Sequence, residues 1–311
     1  MKFSASSFYL CPECYKTDDK LKKRNIMAIS PPTALITANL NQLSLPDIAI
    51  RLNEMVNDPN CSAADIGELV SQDAALSARL LKIVNSPFYG FPSKIDAISM
   101  AITIIGTRQL RDLVLATSVI GKFQQLPEGL VNIDTFWYHN LTCATATRIV
   151  ATKLKIRNSE RFFIAGLLHD IGKLVMYLTE PELSRKVLKN MNEPCDDITQ
   201  LEIDAFGFDH ATLGGELLRQ WKLPDSLVEP VSYHHHPANA EQYLKETAAV
   251  SLANAIANTI EPPYSADDDL PIDVSIWETL GLEDDDLDEL IQETRLAFIN
   301  TVSTLYPKQA I

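Results

Sequence analysis

Glycine is scarce in this chain, with 11 residues in 311. That, with few alternating β-branched runs, sets aside fibrous and low-complexity classes and points away from a sheet of short strands. Cysteine is scarce too. The five at Cys11, Cys14, Cys61, Cys143 and Cys195 are odd in number and widely spaced, which fits reduced thiols in a reducing compartment rather than a disulfide framework. No apolar run reaches the roughly 18 to 20 uninterrupted residues that span a bilayer, and the first residues lack the apolar core of a secretion signal. The expectation is a cytoplasmic protein with no membrane partner. Positive charge is in deficit: 27 Lys and Arg stand against 41 Asp and Glu, for a formal net charge of -14. Such a chain repels a phosphate backbone, so nucleic acid is not expected as a partner. A local metal ion or lysine still allows a small phosphorylated ligand.

Hydrophobic residues make up 46% of the sequence, enough for a real core, and the length allows one large packed unit or two smaller ones. Residues 1–30 read as a flexible leader, with Cys11-Pro-Glu-Cys14, a mixed-charge run from Lys16 to Arg24, and Met27 as an alternative start ahead of Ser30-Pro31-Pro32. A lone C-x-x-C supplies half of the four ligands that structural zinc requires.

From Thr33 onward apolar residues recur at helical spacing. Helices are expected over 33–43, 46–57, 62–72, 74–85, 95–105 and 107–124, forming an N-terminal bundle over 33–125. Pro46 suits a first helical turn, Ser62 with Asp65 reads as a capping box, and Asn85-Ser86-Pro87 breaks the pattern. Asn85 and Ser86 are read as side-chain caps closing that helix. A short join near Gln125 to Gly129 leads to a second bundle over 130–262, with helices near 134–154, 159–178, 180–191, 196–205, 209–221, 224–233 and 240–260. An acidic helical extension over 263–311 follows, with helices near 275–281 and 286–305. The acid runs Asp267 to Asp269 and Glu283 to Glu289 read as solvated faces. The fold class is therefore all-α, two closely packed helical subdomains.

All six histidines, His139, His169, His210, His234, His235 and His236, lie beyond residue 138. Neutral imidazole is the commonest nitrogen ligand for transition metals, and an adjacent carboxylate adds charge and an oxygen ligand. Read as one helix, 162–178 carries the apolar stripe Ile164, Leu167, Leu168, Ile171, Val175, Leu178. His169 and Asp170 then sit about 100° apart on its circumference, both able to lean toward an ion between them. Lys173, one turn past His169, projects from the same face toward an anion. Gly166 and Gly172 lower the helix surface so that neighbours approach closely. Cys143 and Cys195 have no readable catalytic partner, and no nucleophile elbow or P-loop is present.

Leu168-His-Asp-Ile-Gly-Lys173 resembles the core motif of the HD superfamily, which includes metal-dependent phosphohydrolases. Gln72 to Leu81, Val84-Asn-Ser-Pro-Phe88 and Ala101 to Leu110 resemble the HDOD family, the output-domain branch described as signalling modules without demonstrated enzymatic activity. The resemblance covers about residues 40 to 260 and implies an HD-like helical bundle in the second half. It implies metal ligands at His139, His169, Asp170, His210, His234 and His235, leaving His236 to solvent. Asn254 stands where the hydrolases place a last Asp, Thr135 where the multi-metal phosphodiesterase branch places a Glu, and that branch's Gly-Tyr-Pro signature is missing after His235. Two carboxylates fewer favours at most one divalent transition metal ion, of Fe, Mn, Ni or Zn. The expectation is a non-enzymatic or degenerate HD-type signalling module acting on a protein partner. The alternatives are a metal-dependent phosphohydrolase of a nucleotide or other phosphoester, with Asp170 and Lys173 in its machinery, and a metal-free binder of a nucleotide ligand.

Overall fold

The computed structural model describes residues 31–86, 89–156, 159–191, 197–260 and 272–306. The leader with Cys11 and Cys14, together with Cys195 and the Asp267 to Asp269 run, lies outside the described residues. Among the described residues every regular element is helical. The first part comprises α1 (Pro32–Ala38), α2 (Leu40–Leu43), α3 (Asp47–Asn57), α4 (Ala63–Ser71), α5 (Ala74–Val84), α6 (Ile98–Ile105) and α7 (Thr107–Lys122). The second runs through α8 (Ile133–Lys153), α9 (Glu160–Leu168), α10 (Ile171–Thr179), α11 (Pro181–Asn190), α12 (Ile198–Phe206), α13 (His210–Gln220), α14 (Asp225–Tyr233) and α15 (Leu244–Ile260). The short α16 (Val274–Leu280) and the long α17 (Leu287–Leu305) follow.

Several boundaries follow from local chemistry. Ser62 caps α4 by a reciprocal capping box with Asp65, and Asp73, Asn132, Asp197 and Asp209 accept first-turn N–H groups at the starts of α5, α8, α12 and α13. Asn85 closes α5 and clasps the loop beyond it: its side-chain amide donates to the carbonyls of Leu81 and Ile95 and accepts from the Ile95 N–H at 2.7 Å.

Three sequence expectations change. The helix expected over 33–43 is two pieces, because Asn39 leaves helical dihedrals and its side chain donates to the Leu35 carbonyl at 2.9 Å, a local bond that competes with the ladder. The helix expected over 240–260 starts at Leu244, after a single 3₁₀ turn at Pro237–Asn239. The third change bears on function: 159–178 is not one helix. It breaks at the His169-Asp170 doublet, where Asp170 takes φ -97° and ψ 10°, so the pair occupies a corner between α9 and α10.

The two parts share one continuous apolar cluster running from Ile36 to Leu305. Polar clasps reinforce the seam: the Trp221 indole N–H donates to the Leu43 carbonyl at 2.9 Å, and the Asn53 amide to the Lys222 carbonyl at 3.0 Å. α8 is the central strut, packed by α9, α15 and α17. Gly166 lets α9 lie against α8, since a Cβ there would stand 2.8 Å from the Ala144 Cα. The stretch Glu160–Thr179 is long and apolar enough to cross a membrane by length and composition, but 83% of its most apolar window is buried inside the protein, as a core element would be. The acidic run at the start of α17 is partly engaged, with Lys153 on α8 paired to Asp286 at 3.0 Å and to Glu289.

Candidate metal centre

Four parts of the second bundle converge on one point. α8 brings His139, the corner between α9 and α10 brings His169 and Asp170, the first residue of α13 is His210, and the end of α14 delivers His234 and His235. Asp170 is the hub. Its Oδ1 stands 3.1 Å from Nε2 of His210, 3.5 Å from Nε2 of His169 and 3.8 Å from Nε2 of His234. Its Oδ2 accepts from the Lys173 ammonium at 2.6 Å and lies 3.8 Å from Nε2 of His139. The ligand atoms form two triads, His139-His169-Asp170 and His210-His234-His235, each within 4.8 Å.

The inward direction of the imidazoles is fixed from behind. Nδ1 of His169 bonds the Gly166 carbonyl at 2.8 Å and Nδ1 of His234 the Val231 carbonyl at 2.9 Å. A carbonyl only accepts, so each Nδ1 carries the proton and each Nε2 turns a lone pair to the centre. Both residues are the C-caps of their helices, α9 and α14. His210 is held by Glu202 on α12, whose Oε2 accepts from Nδ1 at 2.6 Å and from the His210 backbone N–H at 2.8 Å. The His235 and His210 Nε2 atoms are 2.9 Å apart, close enough to share a proton or a bound cation.

Three buried atoms at the centre, Nε2 of His169, Nε2 of His234 and Oδ1 of Asp170, have no hydrogen-bond partner. Leaving such groups unpaired in a protein interior costs about 1 to 3 kcal/mol each. Ligand atoms about 2.1 Å from a tetrahedral ion lie about 3.4 Å from one another. The three Asp170 Oδ1 separations, 3.1 to 3.8 Å, straddle that edge. The residues around Asp170 therefore fit a metal ion.

Electrostatics agree. Burial pushes the His169 imidazole down to about 4 and holds His234 and His235 well below their ordinary value, so all three are neutral at pH 7. Burial opposes the charged form of His210 as well, but Glu202 and Asp170 push it up to about 9. Burial also opposes the Asp170 anion, and its neighbours His169, Lys173 and His210 nonetheless keep its carboxyl well below the usual range. Without an ion, His210 is an imidazolium bonded through Nδ1 to Glu202, with Asp170 close on its other side.

The structure brings together His139, His169, Asp170, Lys173, His210, His234 and His235. Lys173 does not share a face with His169 as a continuous helix implied; it turns back to Asp170. His236 is exposed, and so is Thr135. Asn254 is half-buried on α15 and makes no hydrogen bond to the cluster. His210 follows the helix cap, a role that belongs to Asp209. The residue that the sequence left unread is Glu202, whose eight-residue separation from His210 crosses a helix end and a turn and matches no motif spacing. Two surface cavities, of about 710 Å³ along α4 to α6 and about 630 Å³ between Tyr89, Arg148 and Glu293, lie away from the centre.

An uncharacterized protein of Treponema pallidum (strain Nichols) is 28% identical over 255 residues, which are 78% of this chain and 48% of that protein. The chain thus spans about half the length of the curated relative it matches. A candidate phosphohydrolase of Shewanella amazonensis SB2B has a solved structure with a TM-score of 0.69 and 25% identity, covering 88% of this chain and 98% of that one. An HDOD domain protein of unknown function from Geobacter sulfurreducens shares the fold, with a TM-score of 0.68, 23% identity, and coverage of 89% and 98%. The HDOD domain model matches residues 43–237, a span that includes every residue of the histidine cluster, and the chain belongs to the HDOD domain family.

Proposed function

We propose that this protein is a signalling module that holds a single divalent transition metal ion in its His/Asp centre and acts by contact with a protein partner, without turnover of its own. The observation that carries this is the convergence of three buried, unpaired atoms from His169, Asp170 and His234 on one point. Four or five imidazoles and one carboxylate suit iron, nickel or zinc better than manganese, and exclude the oxygen-rich preference of magnesium. The inner residues are shut from solvent, with His169 and His210 at 0%, His234 at 1% and Asp170 at 2% exposure. An ion fits behind such a wall. Elemental analysis of tag-free protein tests the reading: about one metal per chain, lost in His169→Ala, is the expected result, and metal-free protein that takes up none on dialysis against zinc, iron or nickel refutes it.

One observation favours the phosphohydrolase alternative. The Lys173 side chain is 22% exposed and that of His139 14%, so an ammonium stands at the rim beside Asp170 where a phosphate would approach. A bound ion would there supply an activated water. Turnover of a generic phosphodiester by metal-loaded protein, abolished by His169→Ala and weakened by Lys173→Ala, would establish that reading over the first.

A further inference from the structure

Glu202 stands outside every motif in the sequence, yet it is the second buried carboxylate of the centre, with a side chain 4% exposed. One of its oxygens does two things. It accepts the His210 backbone N–H at 2.8 Å, fixing where α13 begins, and it accepts Nδ1–H of the same residue at 2.6 Å, fixing how the ring is turned. A main-chain bond and a side-chain bond from one residue to one acceptor leave the imidazole no freedom to flip. The chain between them supports this grip: α12 ends at Gly207, which adopts φ +85°, and that left-handed turn brings the α13 start back alongside Glu202.

We infer that Glu202 is the positioning residue of the metal centre, holding His210 with Nδ1 protonated and Nε2 aimed at the ion. His169 and His234 obtain the same orientation from neutral carbonyls three residues behind them. His210, first in its helix, has no helical carbonyl behind it and takes an anion in its place. A carboxylate behind an imidazole also raises the basicity of the ligating nitrogen. Glu202 thus returns to the outer layer of the site part of the negative charge that Asn254 and Thr135 do not provide. The inference rests on the metal-binding reading for its consequence but not for its geometry, which the metal-free protein also carries.

The test uses Glu202→Gln in the full chain, with two readouts. In chelator competition with zinc, the variant is expected to bind 10- to 100-fold more weakly than the parent, the range in which removal of such outer partners falls. In ¹H–¹⁵N spectra of metal-free protein labelled at the imidazole nitrogens, the strongly downfield Nδ1 proton of His210 is expected to move upfield or vanish, while those of His169 and His234 stay in place. An unchanged His210 proton overturns the inference whatever zinc does. Should the parent bind no zinc, the metal reading fails and the Nδ1 proton alone decides this one. If Glu202→Gln does not fold, Glu202→Asp replaces it: the charge remains but retracts by one methylene, and a parent-like Nδ1 proton there likewise overturns the inference.

Discussion

Gly172 lies so close to His210 that a Cβ added to the glycine would stand 1.9 Å from the His210 carbonyl oxygen and 2.8 Å from the Gly214 nitrogen. Backbone meets backbone at this point, so neither side can yield by changing a rotamer. The contact presses α10 onto α13 and sets the 3.1 Å approach of Asp170 to His210 two residues away.

Gly172→Ala is therefore expected to force α10 off α13. Overpacking of this kind costs about 1 to 3 kcal/mol, and backbone atoms on the receiving side put this case at the upper end. Chemical denaturation should show the loss, and zinc uptake should fall together with it. A variant of parental stability would show that the two helices separate without cost.

Metal dependence gives a second expectation. If one ion sits among His169, Asp170 and His234, zinc raises the melting temperature of the parent by mass action on the folded state. His234→Ala removes one ligand and should abolish most of that rise while leaving the zinc-free melting temperature within a few degrees, because the lost ring had an unpaired buried nitrogen. Equal zinc-induced rises in parent and variant would falsify the assignment of His234.

The pH dependence of the metal-free protein has two limbs. His169 is neutral when folded, down to about 4, but titrates near 6.5 when unfolded. Between those values the unfolded chain binds more protons, so stability falls as pH drops from 6.5 toward 4, and His234 and His235 add in the same direction. His210 has the opposite sign. Its folded value, pushed up to about 9, exceeds the unfolded one, so its contribution is complete below 6.5 and is lost as pH rises through 9. Melting temperatures of chelator-treated protein should peak near pH 6.5. The alkaline limb should flatten in Glu202→Gln, and a steady rise in stability from pH 6.5 to 9 would contradict the clamped imidazolium.

Asn85 supplies a control far from the centre. Its side chain satisfies the Ile95 N–H and two carbonyls, so Asn85→Ala should destabilise the fold by about 1 to 3 kcal/mol. Zinc affinity, measured well below the melting temperature, should not change. A drop in affinity would mean that the α5 loop reaches the cluster.

Much of this architecture was legible beforehand, for reasons that can be named. Ser62 and Asp65 announced α4 because a capping box is written in four consecutive residues. The histidines announced a cluster because their motif spacings carry it. Periodicity failed where side chains compete with the helix: Asn39 and the His169-Asp170 corner both sit in apolar repeats that continue past them. The periodic pattern records which face is buried and is silent on whether the backbone bends. Glu202 could not be found that way, since its role arises only when Gly207 reverses the chain and returns α13 to it. The carboxylate deficit read from Thr135 and Asn254 concerned direct ligands, and the structure supplies an anion one layer further out.

The wall around the inner imidazoles also sets a clock. His169, His210 and His234 are shut from water, and two of them are pinned to the carbonyls of their own helices. An ion held there would exchange slowly, because buried ligands fixed to helix ends turn away less readily than surface side chains. Such a protein would carry its metal as a lasting imprint of the conditions in which it folded, rather than as a running report on the ions around it.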